Sequence, residues 1–115
     1  MILQEGNILL VSHRRMFQQD ESRFFLGRVV ACEGSLVKLQ GFSFARDLAT
    51  GHVMRKDEER TKVLCLSSPG FIVYQLPDDV SPDEAQFRSG HGEAILVDGD
   101  RRLMNLSERT HSGHF

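Results

Sequence analysis

The sequence predicts a mostly β domain: a small antiparallel barrel or sandwich with one short helix and a C-terminal hairpin. Two observations carry this expectation. Apolar runs rich in Val, Ile, Leu and Phe recur at short intervals, too short for ordinary helices. Between them fall turn-forming groups such as Glu33-Gly34-Ser35, Pro69-Gly70 and Asp98-Gly99. Strands at this spacing fit a Sm-like or SH3-like barrel with the last hairpin packed beside it.

The first run, from Asn7 to Ser12, is apolar throughout and follows Gly6, so a strand is expected. His13 to Ser22 is polar and reads as a loop or a ragged helical turn. Arg23 to Cys32 and Leu36 to Ala45 form the clearest hairpin, joined through Glu33-Gly34-Ser35. In its second strand Val37 and Leu39 share one face, whereas Phe42 and Phe44 share the other. A β-bulge at Gly41 would return both pairs to one core. His52 to Lys56 reads as a short strand, turning at Asp57-Glu58-Glu59 into a strand from Arg60 to Ser67. The run Val63-Leu64-Cys65-Leu66 is apolar on both faces, which predicts a central position in the sheet. After Pro69-Gly70, Phe71 to Leu76 is expected to pair antiparallel with it.

Ser81-Pro82-Asp83-Glu84 carries a helix-start signal: Ser81 as cap, Pro82 in the first turn, Glu84 completing a capping box. Phe87 would anchor a helix of about two turns, ended by Ser89-Gly90. Ala94 to Val97 and Arg102 to Leu106 then form the last hairpin, and residues 107–115 are a polar tail. The expected core is Val29, Ala31, Val37, Leu39, Leu64, Leu66, Val73 and Leu96.

The length, 115 residues, fits a single domain over 1–115 that can bury a core without disulfide or metal. Net charge is −2, unevenly spread: residues 1–62 carry ten Lys/Arg against eight Asp/Glu, residues 63–115 four against eight. Neither half has the basic excess of a dedicated nucleic-acid binder. The N-terminal stretch lacks the basic start and long apolar run of a secretory signal, and no stretch is long enough to span a bilayer. A cytoplasmic location without membrane contact is expected. Cys32 and Cys65 then read as thiols within strands rather than as a disulfide.

The strong catalytic motifs are missing: no phosphate-binding Gly loop before a Lys, no nucleophile elbow, no paired His on a helix. The carboxylate pairs Asp78-Asp79, Asp83-Glu84 and Asp98/Asp100 fall in turns, where solvated or capping roles are the rule. His13, His52, His91, His111 and His114 are scattered; His111 and His114 alone fall short of a zinc set. No catalytic residue, metal or cofactor is therefore assigned. The most suggestive feature is a strip of interleaved cations and aromatics: Arg14, Arg15, Phe17, Arg23 and Phe24, extended by Arg28 and Lys38. Stacking on single-stranded nucleic acid uses that combination. The competing view puts the Phe rings in the core and the Arg side chains around its rim.

These features favour a non-enzymatic binding or assembly module that self-associates through strand edges. The strand Leu36 to Ala45, which holds only Lys38 as an internal charge, is the expected edge. The alternative is an RNA- or single-strand-binding domain using the Arg/Phe strip. A small-molecule enzyme built in a barrel mouth is the weaker third possibility.

Overall fold

The run Ile8-Leu9-Leu10-Val11 lies at the centre of the structure. In the computed structural model, which describes residues 2–13, 23–47, 49–90 and 93–106, it forms strand β1 (Ile8–His13). Its neighbours are β2 (Arg23–Glu33) on one side and β6 (Phe71–Leu76) on the other, both antiparallel. All four run residues are fully buried because both faces of the sheet are covered. Ile8 and Leu10 enter one core with Phe24, Leu26 and Phe44; Leu9 and Val11 enter another with Phe25, Val29, Val37, Leu39 and Leu64.

β2 returns through Gly34 and Ser35 into β3 (Leu36–Arg46), with Gly34 at φ +59°, where a side chain would be strained. The far edge of β3 is shared by two short strands. β4 (Val53–Arg55) pairs with Phe44 to Arg46, and β5 (Arg60–Cys65) with Leu36 to Gly41. The six-stranded sheet therefore runs β4 or β5, β3, β2, β1, β6. β5 and β6 lie at opposite edges, yet Leu64 and Leu66 share a core with Phe71 and Val73. Only a curled sheet brings its two edges to one core. The curl stops short of closure, so the expected barrel is not formed: among the described residues β6 pairs with β1 alone and not with β5.

Three local expectations change with this topology. Phe71 to Leu76 does not pair with the strand that precedes it but with β1. β5 is an edge strand, not a central one: Val63 is 61% exposed, while Leu64 alone of its run is buried. The bulge falls not at Gly41 but on the partner strand, where Val30 is the extra residue between Val29 and Ala31. The parity change in β3 needs no bulge, because Val37 and Leu39 face the inner core whereas Phe44 faces the other. Gly41 instead lies opposite Gly27 across the hairpin, with both residues on the crowded inner face. A Cβ on Gly41 would collide with the Leu26 carbonyl oxygen and lie 2.5 Å from the Gly27 Cα.

The core of Ile8, Leu10, Phe24 and Phe44 is completed by a three-stranded antiparallel sheet: β7 (Ala85–Gly90), β8 (Glu93–Asp98) and β9 (Arg101–Asn105). β8 and β9 are the expected C-terminal hairpin, turning at Gly99 with φ +62°. The expected helix is replaced by a single turn. The Glu84 and Ala85 amides both donate to the Ser81 carbonyl, at 3.2 and 3.1 Å, and the chain then extends. Ala85 is buried and the half-buried Phe87 packs on the core, whereas Gln86 and Arg88 are exposed. That is the alternation of a strand, and the Phe87 ring satisfies it by stacking on Phe24 and meeting Phe44 edge-on, each at 5.1 Å. Among the described residues there is no helix, and so none long and apolar enough to cross a membrane.

Of the expected core, Val29, Val37, Leu39, Leu64 and Leu96 are buried and Leu66 and Val73 half-buried. Ala31 is exposed, because the extra residue Val30 precedes it. The polar tail, 107–115, lies outside the described residues.

Candidate functional site

Two regions of the curled sheet carry chemistry that packing does not use. The first is the mouth of the inner face. Side chains alternate along a strand, so His13 follows Leu9 and Val11 on β1, Arg23 accompanies Phe25 on β2, and Arg60 and Lys62 precede Leu64 on β5. All four polar groups line one cavity of about 650 Å³, together with Ser43, Lys56, Asp57 and Glu58. The Lys62 ammonium lies 4.8 Å from the centroid of the Phe25 ring, and the His13 ring meets Phe71 edge-on at 5.1 Å. Arg60 pairs with Glu58 at 3.1 Å across an exposed surface.

The mouth is electrostatically crowded. Burial holds the His13 imidazole below its ordinary pKa, and the charges of Lys62 and Arg23 lower it further. Burial likewise lowers Lys62, followed by repulsion from Arg60 and Arg23.

The second region is the outer edge of β6. Among the described residues no strand pairs there. The other edge strands all contain charges: Arg55 in β4, Arg60 and Lys62 in β5, Arg88 in β7, Arg101 and Arg102 in β9. β6, with the sequence FIVYQL, contains none, and Ile72 is 41% exposed. The strand Leu36 to Ala45, expected to offer an edge, is paired on both sides.

The structure divides the Arg/Phe strip. Arg23 and Phe24 both border the mouth, but Arg23 is exposed there whereas Phe24 is buried in the other core and its ring stacks on Phe87. Arg28 and Lys38 also belong to that opposite face: Arg28 pairs with Gln40, two residues from Lys38. The Arg28 guanidinium donates to the Gly6 carbonyl at 3.4 Å. Arg14, Arg15 and Phe17 lie outside the described residues, as do His91, His111 and His114. Sequence reasoning missed Arg60 and Lys62 as partners of Arg23. Their signal was the two-residue spacing leading to Leu64, which places both on the core-facing side.

The acidic turns are structural clips. Arg101 makes a two-pronged contact with Asp79 at 3.1 and 3.2 Å and also reaches Asp98 at 3.2 Å. Asp98 in turn accepts from the Ser81 amide, and Asp78 accepts from the Asn7 side chain. Cys32 and Cys65 are free thiols, each half-buried. Among the described residues, no group of three or more His, Cys, Asp or Glu is placed to hold a metal ion. Comparison of the chain with family models, curated proteins and solved structures gave no match.

Proposed function

We infer that the protein is a non-enzymatic assembly module whose copies join edge to edge through β6. The observation that carries this reading is the uncharged outer edge of that strand. An unpaired strand presents a row of amide and carbonyl groups, and folded proteins usually guard such edges with charge, Pro or a bulge. Every other edge strand here has such a charge; β6 has neither charge nor internal Pro. Antiparallel pairing of β6 with the same strand of a second copy is isologous and joins two sheets into one. No like charges would meet across it, because none is present in the strand.

Sedimentation across a wide concentration range tests this. A dimer or larger closed assembly is expected, with dissociation in the Ile72→Lys variant. Ile72 is exposed, so a lysine there guards the edge without entering a core. A wild-type chain that remains monomeric at high micromolar concentration would remove the reading, as would an assembly indifferent to Ile72→Lys.

A further inference from the structure

The inner face of the curled sheet changes character along its length. One end is filled by Leu9, Val29, Val37 and Leu64; at the other, beyond Phe25 and Phe71, the lining turns cationic. Among the described residues, four basic side chains, Arg23, Lys56, Arg60 and Lys62, line the mouth with two carboxylates, Asp57 and Glu58, in a chain of net charge −2. Three strands supply the converging groups, so the cluster is a product of the fold rather than of a local basic run.

Like charges held together oppose one another unless a counter-ion lies between them. Here Arg60 engages Glu58, while burial first, and then their cationic neighbours, press Lys62 and His13 toward their neutral forms. Two guanidinium groups and an ammonium around one cavity make a receptor for phosphate oxygens, since guanidinium offers paired donors and ammonium a compact charge. The Ser43 hydroxyl adds a donor at the cavity wall.

We propose that this mouth binds the phosphate group of a compact, nucleotide-sized ligand, held by Arg23, Arg60 and Lys62. The size follows from the cavity: about 650 Å³ lies in the range of small-molecule sites. A polynucleotide would need a continuous cationic track. Arg28 and Lys38, which would have extended one, are on the opposite face of the sheet. Glu58 is a built-in competitor, because it occupies Arg60 at 3.1 Å.

Calorimetric titration of the full chain with pyrophosphate, adenosine monophosphate and a single-stranded oligonucleotide tests the proposal. Saturable binding of pyrophosphate and of the mononucleotide at low salt is expected. Arg60→Ala and Lys62→Met should each weaken it by about tenfold or more, the scale of a charge-assisted hydrogen bond. Methionine keeps the apolar stem over Phe25, so loss of binding with an unchanged melting temperature assigns the effect to the charge. Glu58→Gln should act in the opposite direction and tighten binding, because it frees Arg60. The same titrations on Ile72→Lys should be unaltered, which separates this site from edge pairing. Absence of binding by either small probe at low salt would overturn the proposal. So would binding indifferent to Arg60, Lys62 and Glu58. An oligonucleotide that binds more tightly than the mononucleotide and gains affinity with length would overturn the compact ligand.

Discussion

Replacing Gly41 by alanine tests the curl of the large sheet directly. Gly41 and Gly27 face one another across the β2–β3 hairpin, on the inner face where curvature crowds the side chains. A Cβ on Gly41 would meet only main chain: the Leu26 carbonyl oxygen inside contact distance, the Gly27 Cα at 2.5 Å and the Leu26 carbonyl carbon at 2.8 Å. Backbone cannot rotate aside as a flexible side chain can. Relief requires a shift of the strands on the order of 1 Å in a hairpin whose faces both enter close-packed cores. Overpacking of this kind costs roughly 1–3 kcal/mol, and more where the obstacle is rigid. Lower entropy of the unfolded chain offsets about 0.4–1 kcal/mol. With the upper end of the overpacking cost, about 3 kcal/mol, taken for a rigid backbone obstacle, the expected net loss is roughly 2–2.6 kcal/mol, a fall in melting temperature of about 8–13 °C for a domain of this size. Gly34→Ala is the comparison. It is strained by φ +59° but has nothing within 4 Å of its Cβ, so the loss should be near 1 kcal/mol. Thermal melting followed by circular dichroism ranks the two. A Gly41→Ala variant as stable as wild type, or more stable than Gly34→Ala, would refute close backbone approach as the basis of the curl.

Phe87→Ala should cost roughly 2–4 kcal/mol in denaturant unfolding, because its ring joins the second sheet to Phe24 and Phe44; Gln86→Ala, exposed on the other face, should fall within about 0.5 kcal/mol of wild type. Acidification should expose the cost of the cationic mouth. Burial, then Lys62 and Arg23, lower the folded-state pKa of His13, so the unfolded chain binds the proton first as pH falls. The His13 contribution to stability is thus present above the ordinary imidazole pKa and lost as pH falls through the depressed folded value. His13→Gln should remove that part of the acid-induced decline, as measured by the difference between the two melting curves across neutral to mildly acid pH.

The all-β class, the long hairpin and the C-terminal hairpin were legible because each rests on local signals: β-branched and aromatic runs bounded by Gly turns. What was not legible depends on which face of a strand is covered. Ile8 to Val11 and Val63 to Leu66 look alike in sequence, yet the first is covered on both faces and the second lies at an edge with Val63 in solvent. The parity change from Val37 and Leu39 to Phe42 and Phe44 implies a bulge only if there is one core. With two cores, one on each face, an unbroken strand serves both. The capping residues Ser81 and Glu84 gave a true turn but not a helix. A cap specifies where a helix can begin, whereas continuation needs an apolar stripe at helical spacing. Ala85 and Phe87 instead recur every second residue, and the buried ring decides in favour of the strand.

The Arg/Phe strip shows why the candidate site was harder to find than the fold. Cations and aromatics adjacent in sequence suggest one platform, but in a strand adjacent residues must face opposite ways. Arg23 extends toward the mouth, and Phe24, although it borders the cavity, is buried in the other core. A one-face site in this fold has to be assembled by parity across strands, and its members are then far apart in sequence. Arg23 comes from β2, whereas Arg60 and Lys62 come from β5, which reaches the same face only because the sheet curls. The Gly27–Gly41 contact that permits the curl is thereby coupled to the mouth. A substitution there should disturb anion binding as well as stability, although neither glycine carries a charge or lines the cavity. Arg60→Ala makes the reverse prediction, loss of binding with the curl intact, so the two variants separate the scaffold of the site from its chemistry.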